Sequence, residues 1–540
     1  MKKKPQPRPV SLTFPGGRKA TLSAGESVLN AAWRTGIALE APCGGQGWCG
    51  HCRVHIDPAP APSPEDRETL SPGDIAAGWR LACHTHPAQD STVFPGSLEG
   101  SISSPPVPRR PPPSRGASRR PAGYGIALDI GTTTLAAQLW DTAGPSLLGT
   151  ATLLNPQAAF GLDVISRISS SEKPGSLTRL QRSLRRGVND LLRGLLKEHG
   201  VRPGQITEVV AAGNTTMEHF LAGADPSSLA RAPFRPSFLA LPPGRAPDIG
   251  LHSFSRAAVH FIPNVSAFIG GDAVAGVLAV LPPAKERPAL LIDMGTNAEM
   301  VLIRSRTFLA TSAAAGPALE GGALASGLRA VPGAIEEVDF TGDLLLKTIG
   351  DRSPRGLCGS GLIDLVAVLI RLGFILSDGR LLSPEEGRNS PWKRLVPRLR
   401  LQGKERSFVL SRARGRSPAV ILTQDDIRQV QLAKAAIATG WQLLLREARL
   451  DPGDVFSIFL AGSFGYSLRP RNLSTLGLIP ALWEEKLSFP GNTSLAGATR
   501  FLLSLSERDR LERIIPRVKT RHLAETNQFR DCFVKNLDFP

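Results

Sequence analysis

The sequence predicts an α/β protein of several domains: a small N-terminal domain, a linker, and a large domain built from two similar halves. Three observations predict this class. Four cysteines lie close together near the N-terminus, a stretch around residue 110 is dominated by proline and arginine, and the turn sequence Asp-x-Gly-Thr follows an apolar segment twice, at Asp129 and Asp293. With 540 residues, of which 41% are hydrophobic, the chain is long enough to bury more than one core.

The N-terminal cysteines follow the spacing C-x5-C-x2-C at Cys43, Cys49 and Cys52, with Cys83 about thirty residues further on. Thiolates are the soft ligands that an iron–sulfur cluster needs, and glycines between residues 44 and 50 allow the backbone to approach a cluster closely. The pattern resembles the ligand set of a [2Fe-2S] ferredoxin. That resemblance implies a protein that carries single electrons.

Two other uses of these cysteines stay open. A structural zinc site usually contains two Cys-x2-Cys or related pairs, whereas only Cys49 and Cys52 form such a pair. A disulfide framework is typical of small secreted domains, and we expect no signal peptide in this chain of 540 residues with 6 cysteines. The iron, sulfide and zinc content of the protein distinguishes the three.

The residues around the cysteines favour the ferredoxin interpretation. Residues 10–14 and 19–22 flank a Pro-Gly-Gly turn and predict a hairpin, residues 26–35 predict a short helix, and residues 53–56 predict a strand. This order resembles the β-grasp fold of ferredoxins. The wider cysteine spacing is similar to that of the adrenodoxin-like branch.

The stretch that follows changes character abruptly. Residues 103–114 read SSPPVPRRPPPS, which lacks the apolar spacing of a core element and favours an extended polyproline conformation. Residues 93–122, at roughly 3 Å per residue, would span up to about 90 Å. We expect a linker, which could either let the N-terminal domain travel or act as a passive spacer.

The charge and hydropathy of the chain limit its partners. The net charge is +17, but Lys and Arg are spread along the chain, only 2 Tyr are available for base stacking, and no nucleic-acid motif accompanies them. No stretch of about eighteen uncharged apolar residues occurs. We therefore expect no nucleic-acid partner, no membrane span, and, since cluster assembly needs reduced thiols, a cytoplasmic location.

The first Asp-x-Gly-Thr turn, from Asp129 to Thr134, has the residue types of a phosphate-binding loop. Gly131 permits close backbone approach, the hydroxyls of Thr132, Thr133 and Thr134 can meet phosphate oxygens, and Asp129 can hold Mg²⁺ through water. The second turn repeats the plan at Asp293, Gly295, Thr296 and Asn297. The G-x4-GK[ST] loop is absent from the sequence, which excludes a P-loop ATPase.

Two copies of this turn resemble the paired phosphate motifs of the actin, sugar-kinase and Hsp70-like ATPase superfamily, whose duplicated halves close on a nucleotide. The resemblance extends to an apolar strand that ends at Gly213, Asn214 and Thr215 and to a glycine turn like the adenosine motif. It implies that the remaining nucleotide-binding residues are Gly316, Gly462, Ser463 and Gly465, with Glu320 as a further catalytic carboxylate beside Asp129 and Asp293.

We therefore expect a ribonuclease H-like ATPase domain joined to a ferredoxin domain. The predicted boundaries are 1–92 for the [2Fe-2S] domain, 93–122 for the linker, 123–505 for the ATPase domain with halves at about 123–285 and 286–505, and 506–540 for a polar C-terminal tail. The tail carries no functional signal.

The ordered set of motifs between residues 10 and about 500 resembles the family of ATP-dependent reductive activators of corrinoid proteins. The resemblance implies ATP and Mg²⁺ between the halves, a [2Fe-2S] cluster as electron source, an upstream electron donor, a homodimer, and a corrinoid protein of a methyltransferase system as partner. Such an activator returns an inactive Co(II) corrinoid to the Co(I) state.

Two functions of other classes remain compatible with the motifs. A metabolite kinase would use the same nucleotide cleft but gives no reason for a tethered cluster. A ferredoxin fused to a nucleotide-controlled binding module would keep every motif and change the electron acceptor. The activators of 2-hydroxyacyl-CoA dehydratases share the ATPase fold, but their cluster is held differently.

Overall fold

The fold is that of a computed structural model. It describes residues 10–14, 18–23, 25–34, 39, 52–95, 123–161, 163–281, 287–305, 307–413, 419–462, 468–522 and 527–540. Cys43, Cys49, Ser463, Gly465 and most of the predicted linker lie outside these residues.

The N-terminal domain is a five-stranded mixed sheet in the order β2-β1-β5-β3-β4. Its strands and helices are β1 (Val10–Phe14), β2 (Arg18–Leu22), α1 (Val28–Arg34), β3 (Arg53–Asp57), α2 (Pro64–Thr69), α3 (Pro72–Ala76), β4 (Trp79–Leu81) and β5 (Ser91–Pro95). Alternate residues such as Leu12 and Phe14 are buried, because successive side chains of a strand point to opposite faces. The predicted hairpin, helix and strand are confirmed.

The N-terminal domain extends further than the predicted boundary at residue 92. Strand β5 runs to Pro95 and pairs in parallel with β1 and antiparallel with β3. The apolar side chain that anchors it is Val93, which is fully buried. The predicted linker therefore loses its first residues to the sheet.

The first half of the large domain is a six-stranded sheet in the order β10-β11-β9-β6-β7-β8. Its elements are β6 (Tyr124–Ile130), β7 (Thr134–Asp141), β8 (Ser146–Leu154), α4 (Val164–Ser171), α5 (Ser176–Glu198), β9 (Ile206–Gly213), α6 (Thr215–Ala222), β10 (Gly244–Arg245), β11 (Ala258–Phe261) and α7 (Gly271–Val280). The long helix α5 buries Leu180, Leu184, Val188 and Leu191 at helical spacing against this sheet.

The second half contains a matching six-stranded sheet, β22-β21-β12-β13-β14-β23, and two sheets of three strands. Its strands are β12 (Ala289–Met294), β13 (Asn297–Ile303), β14 (Phe308–Ala314), β15 (Ala334–Phe340), β16 (Leu344–Thr348), β17 (Gly356–Leu357), β18 (Leu399–Gln402), β19 (Glu405–Ser411), β20 (Val420–Thr423), β21 (Ser457–Ala461), β22 (Leu487–Gly491) and β23 (Val518–Thr520). Its helices are α8 (Gly359–Arg371), α9 (Gln424–Ala448), α10 (Pro470–Thr475), α11 (Thr493–Leu503), α12 (Leu505–Ile514) and α13 (Asn527–Lys535).

The two six-stranded sheets share one plan, which confirms the predicted duplication. In each, three consecutive strands form an antiparallel meander, and a later strand lies parallel to the first of them: β9 beside β6, and β21 beside β12. Both Asp-x-Gly-Thr turns therefore connect the first two strands of a meander. The two faces of these first strands lie in different cores: Ile126 and Leu128 of β6 pack on the α5 side and Ala127 on the α11 side, and Leu290 and Leu291 of β12 likewise belong to separate cores. Burial of both faces accounts for their continuous apolar runs.

The predicted division near residue 285 is not clean, because α11 returns from the second half to the first sheet. It packs against α7, β6 and β9, and the approach is close enough that a Cβ on Gly497 would lie 1.9 Å from the Ala275 carbonyl oxygen. Only glycine fits at such a crossing.

The predicted polar tail after residue 505 is part of the fold. Strand β23 extends the second sheet beside β14, and α13 packs on α9. Phe539 is 3% exposed. The sequence does not reveal that this segment is folded, because the edge strand β23 and the helix α13 bury few residues. No described helix combines the length and the apolarity that a bilayer crossing would need.

Candidate nucleotide and cluster sites

Two of the predicted cluster ligands lie side by side. Cys52 precedes β3 and Cys83 follows β4, and pairing of these strands brings their Sγ atoms to 3.2 Å without a disulfide. Two sulfurs on one tetrahedral metal, with bonds of about 2.3 Å as in zinc thiolates, stand roughly 3.7 Å apart. The two sulfurs are therefore near enough to bind one metal ion after moving apart by about half an ångström. Cys43 and Cys49 lie outside the described residues.

The two phosphate turns face each other across the cleft between the halves. Thr133 belongs to the first turn and Thr296 to the second, and both hydroxyls donate to the same atom, Glu320 Oε2, at 3.2 and 2.9 Å. Three of the predicted site residues thus meet, although they come from separate motifs.

Glycines shape the first phosphate turn and three segments beside the two turns. A Cβ on Gly131 would lie 2.5 Å from the Thr134 carbonyl oxygen, and one on Gly213 would lie 2.9 Å from that of Ile130. Gly462 directly follows β21 with a φ of 119°, and a Cβ there would lie 2.3 Å from the Met294 carbonyl oxygen. Gly316 also has a positive φ, 75°. A side chain at Gly131, Gly213 or Gly462 would displace neighbouring backbone, whereas one at Gly316 would strain its own backbone only.

Asn214 connects the first turn to helix α6. Its Oδ1 accepts from the Met217 amide as the cap of α6, while its Nδ2 donates to Thr132 Oγ1 at 2.9 Å. Thr215 is 1% exposed, and its hydroxyl donates to the Ser266 carbonyl oxygen. The hydroxyl proton of Thr215 is therefore used within the protein. Thr134 and Asn297 begin the strands that leave the two turns.

Carboxylates from both halves converge on the cleft. Asp129 is the penultimate residue of β6, and Asp272 is the second residue of α7. Asp293, the penultimate residue of β12, lies directly opposite Glu299 of β13. Each carries a pKa raised above its ordinary value, with desolvation in the cleft as the largest cause, and the pKa values of Asp272 and Asp293 rise to about 7. Negative neighbours add to the rise at Asp272, Asp293 and Glu299. A divalent cation would offset this repulsion.

The donor set suits Mg²⁺ held partly through water. Mg²⁺ usually binds one or two carboxylates and keeps several waters beside a nucleotide's phosphates. In the described part of the chain no three His, Cys, Asp or Glu side chains are placed to chelate a metal directly. Asp129 and Asp293 are the residues that would order such waters.

Sequence reasoning missed the residues that hold Asp129. Asn492 Nδ2 donates to Asp129 Oδ2 and Ser494 Oγ donates to Asp129 Oδ1, both at 2.7 Å. These residues begin α11, which crosses from the second half. No local signal near Asp129 points to them.

Asp272 and Glu299 were also missed as functional groups. Asp272 directly follows Gly270 and Gly271, and this position could have indicated that it is a functional residue. Asp293 and Glu299 lie opposite each other because of the register in which β12 pairs with β13. The sequence alone does not determine that register.

The raised pKa values predict a pH-dependent effect of magnesium on stability. An acid whose pKa rises from 3.8 to about 7 on folding binds its proton more tightly when folded, so the free energy of unfolding falls as pH increases across that range. We expect Mg²⁺ to raise the Tm more at a pH of about 8 than at about 5, and Asp293→Asn to reduce that difference. Thermal melts with and without Mg²⁺ measure it, and an equal Mg²⁺ shift at both pH values would contradict the expectation.

Comparison with known proteins agrees with this architecture. Three family models match in order: a 2Fe-2S iron–sulfur cluster binding domain at residues 14–88, the RACo middle region at 124–281, and the C-terminal domain of RACo, the ASKHA domain, at 287–540. The corrinoid activation enzyme RamQ of Eubacterium limosum is 33% identical over 422 residues, which cover 77% of this chain and 70% of RamQ. The chain belongs to the family of reductive activators of corrinoid proteins.

Two other proteins are similar to this chain over most of its length. The [Co(II) methylated amine-specific corrinoid protein] reductase of Methanosarcina barkeri is 23% identical over 450 residues, covering 77% of each chain. A solved structure, a reductive activator for corrinoid, iron–sulfur protein, has a TM-score of 0.69 and 29% identity and covers 98% of both chains. The likeness therefore spans the cluster domain and both halves of the ATPase domain.

Proposed function

We propose that this protein reactivates a corrinoid protein, passing one electron from its [2Fe-2S] cluster to Co(II) in an ATP-dependent reaction that regenerates Co(I) for methyl transfer. The observation that carries the proposal is the similarity, along 98% of the chain, to a reductive activator in which a cluster domain and a nucleotide cleft occur together. A metabolite kinase would need the nucleotide cleft but no cluster domain.

The combination has a physical reason. Co(I) is a strong reductant, and plant-type ferredoxin clusters lie near −400 mV, so the electron moves uphill. A coupling free energy of about 1–3 kcal/mol corresponds to roughly 40–130 mV for one electron. Differential binding of the Co(II) and Co(I) forms of the partner can supply part of this difference, and nucleotide turnover resets the complex.

Within the cleft, the hydroxyl groups and the carboxylates have different roles. The hydroxyls of Thr132, Thr133 and Thr296 are donors for phosphate oxygens, while Asp129 and Asp293 balance Mg²⁺. Asn492 and Ser494 fix the orientation of Asp129, since both of its oxygens accept a hydrogen bond from α11. Magnesium, an upstream electron donor, a homodimer and a cytoplasmic location are part of the proposal.

The direct test mixes the reduced protein with a Co(II) corrinoid protein and follows the Co(I) absorption band. We expect Co(I) to form with Mg²⁺ and ATP and to form far less with ADP or without nucleotide. Candidate partners are corrinoid proteins of methyltransferase systems. If Co(I) forms equally without nucleotide, the role assigned to ATP is wrong, and if no corrinoid protein is reduced, the acceptor is of another class.

The N-terminal domain must reach both its electron donor and the corrinoid. Its described contact with the ATPase domain includes an ion pair between Arg18 and Asp190, with Nη2 and Oδ2 separated by 3.2 Å. The side chains are 40% and 34% exposed. Exposed pairs of this kind contribute at most about 1 kcal/mol, so this pair does little to prevent the domain from leaving.

Deletion of residues 103–121 should therefore slow corrinoid reduction sharply while cluster content and ATP hydrolysis stay near normal. Replacing the segment with a Gly/Ser sequence of equal length is the matched control, because it keeps the maximum length of the segment and changes its composition. Stopped-flow measurement of Co(I) formation compares the three proteins. Reduction at the parent rate by the deletion variant would show that the segment is a passive spacer.

A further inference from the structure

The carboxylate of Glu320 joins the two phosphate turns. Its Oε2 accepts from Thr133 Oγ1 of the first half and from Thr296 Oγ1 of the second. Its Oε1 lies over the second turn, since a Cβ on Gly295 would be 3.4 Å from it. A single side chain thus bridges the halves at the place where both turns present their donors.

The backbone that carries Glu320 is held tightly. Glu320 ends a 3-10 turn, Pro317–Glu320, and the next residue, Gly321, has a φ of 75° with its Cβ position 2.4 Å from the Leu328 carbonyl oxygen. On the other side of the turn, a Cβ on Gly359 of α8 would lie 1.8 Å from the Leu319 carbonyl oxygen. The carboxylate can therefore move by rotation of its own side chain, while the backbone stays in place.

In the proposed function these hydroxyls donate to phosphate oxygens, so a carboxylate oxygen on them takes the hydrogen-bonding position of a phosphate oxygen. Each threonine hydroxyl has one proton to donate, so it cannot serve Glu320 and a phosphate at the same time. The negative charges of Glu320 and a triphosphate also repel each other at this distance. Binding of the terminal phosphate and the bridge through Glu320 are therefore mutually exclusive.

We propose that Glu320 closes the empty γ-phosphate position by bridging Thr133 and Thr296, and that the γ-phosphate of ATP displaces it. This inference rests on the proposed function in so far as the cleft binds ATP. ADP leaves the γ-phosphate position empty, so the bridge re-forms once phosphate has left. Glu320 then distinguishes the triphosphate state from the diphosphate state of the cleft.

The test compares the binding of ADP and of a non-hydrolysable ATP analogue, each with Mg²⁺, to the full-length protein by calorimetry. Glu320→Ala should bind the analogue roughly tenfold more tightly, because the competing acceptor is gone, while its affinity for ADP should change less than about twofold. Glu320→Gln, which keeps an acceptor oxygen but no charge, should lie between the two. Glu447→Ala is the matched control, since Glu447 belongs to the same half and pairs with Arg521.

A second variant tests whether the same hydroxyl serves both partners. Thr296→Val should weaken analogue binding more in the Glu320→Ala background than in the parent protein, because in the parent the substitution also removes the bridge. Unchanged or weaker analogue binding in Glu320→Ala, equal changes for ADP and the analogue, or additive effects of the two substitutions would each overturn the bridge. The cluster absorbance and Tm report folding of every variant. A parent protein that binds neither nucleotide would overturn the nucleotide site itself.

Discussion

Asp293→Asn is expected to lower ATP turnover by an order of magnitude or more while the absorption spectrum of the cluster stays unchanged. Asp293 lies one residue before the end of β12, in the cleft. In the proposed function its charge balances Mg²⁺, and the amide removes that charge without changing the size of the side chain. Steady-state phosphate release measures turnover, and the visible spectrum reports the cluster. Asp343→Asn is the matched control, because Asp343 is 54% exposed and pairs with Arg398.

Asp129→Asn should cause a loss of similar size with an additional defect. Both oxygens of Asp129 accept hydrogen bonds, from Asn492 and Ser494, and an asparagine offers one oxygen in place of two. The amide nitrogen would then face either the Asn492 amide, which is a second donor, or the Ser494 hydroxyl, which would have to rotate and accept in place of donating. Full ATPase activity in both variants would remove the assignment of these turns to Mg²⁺ and phosphate.

Cys83→Ser and Cys49→Ser are expected to abolish or strongly destabilise the cluster and, with it, corrinoid reduction, while ATP still binds. A serine oxygen is a poor ligand for a site that selects soft thiolates. Iron and sulfide analysis, together with EPR of the reduced protein, gives the cluster content, and calorimetry gives ATP binding.

Cys532→Ser is the control for these variants. Cys532 is partly exposed on α13 and its thiol contacts Gln442, far in sequence from the four predicted ligands. Its substitution should leave iron content unchanged. Stoichiometric zinc without iron in the parent protein would instead favour the structural zinc interpretation of Cys43, Cys49, Cys52 and Cys83.

Local patterns predicted the elements that depend on nearby residues. Alternation in residues 10–14 predicted β1, and the two Asp-x-Gly-Thr turns predicted the two similar halves, because the apolar runs and the turn glycines are encoded within about fifteen residues. The bridging position of Glu320 followed from no such pattern. It depends on how the second half packs against the first.

The domain boundaries were predicted less well, because they too depend on contacts between residues that are distant in sequence. Strand β5 contains Pro95 beside a proline-rich stretch, so composition assigned its end to the linker. The segment after residue 505 is polar, yet β23 pairs with β14 at a sheet edge, where a short strand needs few apolar residues. Asn492 lies 363 residues from Asp129, a separation that no sequence window covers.

The return of α11 to the first sheet has a consequence for how the chain reaches its native state. Strands β6 and β9 and helix α7 leave the ribosome long before α11, yet Ala127, Val210 and Ala275 are fully buried in the core that α11 completes. Until about residue 503 has been synthesised, that apolar surface has no partner, and such contacts of high sequence separation form slowly. A fragment ending near residue 281 should therefore aggregate, and joining residues 492–503 to it through a flexible segment should restore a folded unit.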